Sequence, residues 1–365
     1  MKRILSLLLC AALGLSLAGC GTAASGTSAG TAASGAQRYS SVLSYDTFDT
    51  VTQLVAYCGS QQEFDTQAQA LEADLETYSR LYDIYNSYDG LNNLKTVNDN
   101  AGIAPVKVDS RILDLLEEGI RLYTVTGGKT NIAMGAVLSI WHDYREAGIA
   151  DPAHAALPTD AELAAAAQHC DIGDIVIDRS ASTVYLTDPE MSLDVGSCGK
   201  GYACEQVAKA AEARGLTSAL LSVGGNLRAI GEKPGGTPWT GGVENPWSGT
   251  DLPAAGSGYV SAVTLQGNLS LVTSGDYQRY YEVDGVRYHH LIDPDTLYPA
   301  RYFDSVTVLT ADSGLADCLS TGLFCMDLAD GQALVESMDG VEAFWCLTDG
   351  TTVQSSGWDS YAYTK

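Results

Sequence analysis

The stretch ALLSVGGNLRAI (219–230) decides the fold class, because two short apolar runs flank the glycine pair Gly224-Gly225. It reads as a pair of strands broken at the glycines. Similar signals run outward from it. Residues 174–186 read as a hairpin, 260–272 and 277–292 as further β segments, the latter turning at Asp284-Gly285, and 305–310 as another strand. A helix is predicted from about 314 to 326. Toward the N-terminus, 40–57 is expected to hold a first strand with Val51, Leu54 and Val55 as its apolar residues. Residues 63–85 carry Leu71, Leu75, Tyr78, Leu81 and Tyr82 at helical spacing without proline. Ser110 reads as the N-cap of a second helix through Ile112, Leu113, Leu116 and Ile120 that stops near Gly127-Gly128, and 161–168 is a short Ala-rich helix. Helices set between antiparallel hairpins, with no regular βαβ alternation, give an α+β class: one domain of antiparallel sheets with packed helices.

The chain of 365 residues is 45% hydrophobic, enough for a sizeable core. Twenty basic residues against forty-five acidic ones leave a net charge of −25, which repels nucleic acid and anionic lipid surfaces. A bound phosphate therefore needs local help from backbone N–H groups, a few cations or a metal. Lys2 and Arg3 precede an apolar run from Ile4 to Ala18 that is too short for an ordinary bilayer span and reads as a secretory signal. Leu17-Ala18-Gly19-Cys20 resembles the bacterial lipobox, whose cysteine is lipidated. The expected organisation is a lipoprotein signal peptide at 1–19, a flexible Gly/Ala/Ser/Thr tether at 20–41 and a catalytic domain at 42–365. Without Cys10 and Cys20, seven of the nine cysteines remain, an odd and scattered set that reads as buried apolar residues rather than a disulfide framework.

Three constellations invite chemistry. Leu193-Asp194-Val195-Gly196-Ser197-Cys198-Gly199-Lys200-Gly201 leads from a strand into a helix over 202–214 that Gly215 ends. Its glycines and Lys200 suit a phosphate at a helix N-terminus, or simply a tight strand–helix turn. Asp317 and Thr321, four apart on the late helix, put two oxygens on one face, fit for Mg²⁺ or for capping and solvation. His289 and His290 end a strand with side chains on opposite faces, so at most one of them faces a site. A histidine three residues before Asp293 can do acid–base work, or be an ordinary strand-edge residue.

Taken together, TVTQL (50–54), YDGLNNLKTVN (88–98), TGGKTNIAMGAVLSIW (126–141), LDVGSCGKGYA (193–203), SVGGN (222–226), TSGDYQRYY (273–281), HHLIDP (289–294) and SVTVLTADSGLADCLST (305–321) resemble, in order, the FAD:protein FMN transferases, or ApbE-like flavin transferases. The likeness covers nearly everything from residue 41 onward and implies their T-fold-related α+β architecture. It implies that Tyr88, Lys129, Thr130, Asn131, Asp194, Lys200 and Ile292 contact FAD. It further implies that the backbone oxygen of Ser197, with Asp317 and Thr321, holds Mg²⁺, and that His290 is the catalytic histidine of an H-x-I-D-P motif. The sequence departs from the family at Phe48-Asp49-Thr50, where Met-Gly-Thr is usual, and at Thr130-Asn131-Ile132-Ala133, where F-D-P-T is usual. The Gly-Gly that follows the aspartate in the family appears here as Gly196-Ser197, shifted by one residue.

The reaction so implied moves FMN from FAD to a Ser or Thr hydroxyl of an exported acceptor protein, with Mg²⁺ and release of AMP. Two other classes share parts of the pattern. An FAD-binding electron-carrier lipoprotein needs the same pocket, and a solute-binding lipoprotein shares the signal and tether but requires two βαβ lobes. The expected location is the extracytoplasmic face of a bacterial membrane, held through Cys20. Replacing Cys20→Ala should release the protein from the membrane fraction; a wild-type chain already fully soluble outside the cell would refute the anchor.

Overall fold

The computed structural model describes residues 35–248 and 258–364. Cys20, the signal segment and the tether through residue 34 lie outside them. In chain order the elements are β1 (Gln37–Ser44), β2 (Thr52–Cys58), α1 (Gln61–Tyr82), α2 (Leu94–Asp99), β3 (Val106–Lys107), α3 (Ser110–Val125), α4 (Gly135–Ala150) and α5 (Asp160–Ala166). They continue with β4 (Ile175–Asp178), β5 (Thr183–Leu186), α6 (Gly199–Ala213), β6 (Ser218–Val223), β7 (Asn226–Gly231), β8 (Trp239–Glu244), β9 (Tyr259–Leu265) and β10 (Ser270–Gly275). The last are β11 (Tyr280–Val283), β12 (Val286–His289), β13 (Phe303–Thr310), α7 (Ser313–Phe324), α8 (Leu328–Glu336), β14 (Glu342–Leu347) and β15 (Thr352–Gln354).

Eight strands form one sheet in the order β1-β2-β6-β7-β10-β13-β14-β15, and every neighbouring pair is antiparallel. The α+β expectation holds. The stretch 219–230 is the β6–β7 hairpin, with Val223 facing Asn226 across a two-residue turn in which Gly224 and Gly225 have φ of +55° and +90°. Glycine takes both conformations without strain, which is why the turn sits there. A Cβ on Gly224 would also lie 2.6 Å from the side chain of Thr50. That close approach seats the turn against the chain leading into β2.

Both faces of the sheet are covered. On one, α1 and α6 pack over β2 and β6 through Leu71, Leu75, Val207 and Leu221, while α7 packs over β13 and β14 through Leu319, Leu323 and Val306. The β8–β9 hairpin, with Trp239, Trp247 and Trp358, covers the other. This explains the nearly continuous burial of β13. All seven cysteines among the described residues are free thiols, six of them buried. Among the described residues no helix is long and apolar enough to cross a membrane.

Several expectations need correcting. Residues 40–57 hold two antiparallel strands rather than one, and β1 starts at Gln37, inside the segment expected to be tether. Its sequence QRYSSVLS is mostly exposed, so it carries no apolar alternation to read. The cap of α3 is Asp109, whose carboxylate accepts the N–H of Arg111, not Ser110. Pattern alone does not place α4, which starts at Gly135 without a side-chain cap. The segment 260–272 supplies two strands to different sheets, β9 to a pair with β8 and β10 to the large sheet.

Helices α6 and α7 approach closely at Gly201 and at Gly314. A Cβ on Gly201 would stand 2.3 Å from the Cβ of Asp317 and 2.4 Å from the carbonyl oxygen of Ser313. Gly201→Ala should therefore push the helices apart and cost about 1–3 kcal/mol of stability, measurable as a lowered denaturation midpoint. An unchanged midpoint would show that the crossing tolerates a methyl group.

Candidate active site

The crossing of α6 and α7 assembles the first group of expected site residues. Asp312 caps α7 by accepting the N–H groups of Gly314 and Leu315, and ten of the helix's twelve residues are buried, Asp317 among them. Asp317 turns its carboxylate onto the start of α6, where Oδ2 accepts the N–H of Gly201 at 2.6 Å. Its Oδ1 lies 3.6 Å from the Lys200 amine, which donates to Asn226 Oδ1 at 2.6 Å. The N–H groups of Gly199 and Tyr202 go to Val195 and Cys198. This glycine-rich helix start has two readings, phosphate cradle or tight turn, and the structure shows the Gly199, Gly201 and Tyr202 N–H groups engaged within the protein. A carboxylate already sits where a phosphate would bind, stabilised by the same positive helix end.

Thr321, one turn further along α7, lies 3.3 Å from the hydroxyl of Ser274, which also pairs with Ser320 at 2.8 Å. Ser197 precedes the first residue of α6 by two positions, which puts its carbonyl at the same helix end. The donor set is all oxygen, with one carboxylate, hydroxyls and a backbone carbonyl. This suits Mg²⁺, which commonly takes one or two carboxylates and leaves its other positions to water and substrate phosphates. Among the described residues no group of three His, Cys, Asp or Glu forms a denser cluster.

Asp194 belongs to a second group. No strand leads directly into α6, only an isolated bridge at Ser192; Asn98 clamps the segment by accepting the N–H of Leu193 at 2.8 Å and donating to the Leu193 carbonyl at 3.0 Å. Asp194 then lines a cavity of about 360 Å³ with Tyr85, Gly135, Ser139 and His142. Its Oδ1 accepts the N–H of Gly196 at 2.7 Å. Burial raises its pKa, and the Gly196 N–H with the charges of His142, Arg279 and Arg145 pulls the other way. Tyr85 stacks on His142 at 5.1 Å, and Arg145 donates to His142 Nδ1 at 3.0 Å. Tyr85, His142, Arg145 and Arg279 were not expected as site residues. Arg279 lies within TSGDYQRYY (273–281), whereas the i,i+3 pairing of His142 with Arg145 becomes readable only once α4 is known.

The two adjacent histidines separate cleanly. His289 is buried; its Nε2–H donates to the Ala300 carbonyl at 2.8 Å and its Nδ1 accepts the N–H of Leu291 at 3.2 Å. Both nitrogens are spent on holding the turn. His290 donates its backbone N–H to the Arg279 carbonyl at 3.1 Å, and its Nδ1 is buried without a hydrogen-bond partner. Burial, followed by the charges of Arg279, His289 and Arg145, lowers its pKa to about 3, so the ring is neutral at neutral pH.

The remaining expected contacts are engaged within the protein. Lys129 donates to Asp293 at 2.8 Å and Asp295 at 2.9 Å, fastening the turn after His290 to the loop before α4. Burial disfavours its charge, but those two hydrogen bonds outweigh burial and raise its pKa. Thr130 is buried, sharing its hydroxyl with Thr126 at 2.8 Å and with the Cys318 thiol at 3.1 Å, which ties this loop to α7. Asn131 donates to the Cys170 carbonyl and accepts the N–H of Ala133. Tyr88 donates its hydroxyl to Asp83 at 2.7 Å. Ile292 is buried with Met134, Val137 and Trp141.

Burial also lowers the pKa of His289, from 6.5 to about 4. An unfolded histidine takes up its proton near 6.5, whereas the folded one resists until about 4. The stability this contributes is complete above pH 6.5 and is lost as pH falls from about 6.5 toward 4. Denaturant titrations across that window should show a steeper decline for the wild type than for His289→Gln; parallel curves would contradict the assignment.

The sequence profile of the ApbE family matches residues 48–345. The FAD:protein FMN transferase of Treponema pallidum is 34% identical over 279 residues, covering 72% of this chain and 73% of its own. That of Klebsiella pneumoniae is 28% identical over 286 residues, 76% of this chain and 84% of its own. The crystal structure of the ApbE protein from Thermotoga maritima superposes with a TM-score of 0.74 at 26% identity, over 90% of this chain and 100% of that one. With that profile spanning most of its length and the same fold beneath it, the chain belongs to the ApbE family.

Proposed function

We propose that this protein is an FAD:protein FMN transferase that moves FMN from FAD to a Ser or Thr hydroxyl of an exported acceptor protein, requires Mg²⁺ and releases AMP. Family membership and the names of its relatives support the flavin donor and the protein acceptor. The observation that carries the chemistry is His290, whose buried Nδ1 has no partner while the neighbouring His289 is fully used. In the transfer, the acceptor oxygen bonds to the phosphorus of the FMN half. The bond from that phosphorus to the oxygen bridging it to AMP breaks, and that oxygen leaves with AMP. The acceptor's hydroxyl proton passes to His290, which is neutral and so has a free lone pair. The arginine part of its pKa depression is offset when the anionic pyrophosphate arrives, which strengthens the base where it is needed.

Asp317, Thr321 and the Ser197 carbonyl would hold Mg²⁺, which when bound supplies neutralisation of the pyrophosphate charge. Lys200 supplies a further cation at the same end of α6. Asp194 lines the cavity assigned to FAD. Lys129, through Asp293, keeps the turn bearing His290 in register. A lipid on Cys20 and the tether after it would hold the domain near membrane-borne acceptors, on the extracytoplasmic face.

Purified protein, FAD, Mg²⁺ and a candidate acceptor should yield an acceptor heavier by one FMN less water in mass spectrometry. His290→Ala should slow this on the order of a hundredfold while FAD still binds. Asp317→Asn keeps an oxygen for the Gly201 N–H but loses the charge, and should abolish the Mg²⁺ response. FAD remaining intact with Mg²⁺ and acceptor present would replace the transferase with an electron carrier that holds FAD uncleaved.

A further inference from the structure

In a chain with a net charge of −25, a basic side chain near the site normally finds a carboxylate. Lys129 is paired with Asp293 and Asp295, Lys200 lies near Asp317, and Arg287 pairs with Asp276. Arg301 has no carboxylate partner among the described residues but lies over the Tyr288 ring at 5.0 Å, and Arg279 has neither. Among the described residues its guanidinium makes no hydrogen bond, ion pair or ring contact, and it is exposed. Its backbone is fixed all the same. It directly precedes β11, and its carbonyl holds the N–H of His290 at 3.1 Å, so the guanidinium and the imidazole are carried by one backbone link.

The surroundings give that free charge a direction. Helix α4 brings Arg145, half buried, to His142 at 3.0 Å, and His142 lines the same 360 Å³ cavity as Asp194. The charges of both arginines are felt at Asp194, at Tyr85 and at His290. Arg145 is also paired with Glu146 at 3.5 Å, and the cavity's own carboxylates are Asp143 and Asp194, the pKa of the latter being raised by burial. An exposed, unpaired arginine directly across the strand pair from a neutral histidine is a site that lacks its anion. At the start of α6 the Gly201 N–H is already taken by Asp317, so the pyrophosphate needs donors beyond that amide.

We propose that Arg279, seconded by Arg145, binds the pyrophosphate of FAD beside His290 and is a catalytic residue of the transfer. This rests on the transferase reading above and adds to it the group that fixes the phosphorus against the base. Arginine suits the task because its planar fork bonds two phosphate oxygens at once, and its charge persists as the bridging oxygen departs.

The test compares two flavins on the full chain. Riboflavin carries no phosphate, whereas FAD carries two. Arg279→Gln should weaken FAD binding by about tenfold to a hundredfold, the loss expected for a charge-assisted hydrogen bond, and leave riboflavin binding unchanged. Arg279→Lys should recover part of the FAD affinity but less of the transfer rate, because a point charge cannot bond bidentately. Arg38→Gln, on the exposed strand β1, controls for net charge and should change neither. Equal loss of both flavins would make Arg279 a fold residue and overturn the proposal, as would FAD affinity unchanged from wild type. If the wild-type chain bound FAD and riboflavin alike but transferred nothing, the transferase reading would fail; if it transferred FMN normally with Arg279→Gln, only this proposal would.

Discussion

The hydrogen bond from the Gly201 amide to the Asp317 carboxylate is the constraint on which the site depends. It requires α6 and α7 to approach so closely that no side chain fits at residue 201. It also buries an aspartate whose negative charge answers the positive end of α6. The same two helices are fastened again by Glu205 of α6, which accepts from Arg228 of β7 at 2.8 Å and from the Ser313 amide at the start of α7 at 2.9 Å. A buried carboxylate satisfied by an arginine and a helix-terminal N–H is costly to disturb, since removing either partner strands a charge. The pair of contacts sets where Asp317 and Thr321 stand relative to Lys200 and Asn226. The large sheet in turn sets where the helices lie, through the cluster that Leu319 and Leu323 share with Val306 and Val308.

Electrostatics then divide the cations by task. Most are neutralised within the fold, as with Arg228 at Glu205 or Arg214 at Asp74. Such pairs organise structure, and at the surface they contribute little stability. Lys129 shows the intermediate case, an amine that is charged, largely buried and committed to a turn. Its role is to hold Asp293, and through it the chain that carries His290, against the loop before α4. The site thus gets its geometry from paired charges and its reactivity from the few groups left unpaired.

The sequence revealed the framework well where the backbone had to solve a local problem. The β6–β7 turn needs two residues at positive φ, and Gly224-Gly225 announces them. The hairpin β11–β12 turns at Asp284-Gly285 for the same reason, and α7 is legible because its apolar spacing is dense. What stayed hidden lacked such a signature. Strand β1 is an exposed polar edge, and α4 opens on Gly135 with no capping side chain, so neither its existence nor the His142–Arg145 pairing on it could be read. At the site, spacing correctly put Asp317 and Thr321 on one helix. It could not show that Asp317 reaches across to another helix, because nothing local records a contact between residues 116 positions apart.

The departure at Phe48-Asp49 follows the same logic. The family resemblance expects Met-Gly at these positions, and here both residues stand in the left-handed region, with φ of +56° and +54°. Glycine meets that conformation without strain and aspartate tolerates it, whereas a phenylalanine there is unusual. What offsets the strain is packing and anchoring. Phe48 lies against the clusters built on α1, α6 and α3, and its amide donates to Ser79 at 3.3 Å. The next residue but one, Thr50, abuts Gly224 and so touches the turn that presents Asn226 to Lys200. The backbone path of this loop is what brings Thr50 against the neighbouring hairpin, and packing of Phe48 keeps the loop on that path.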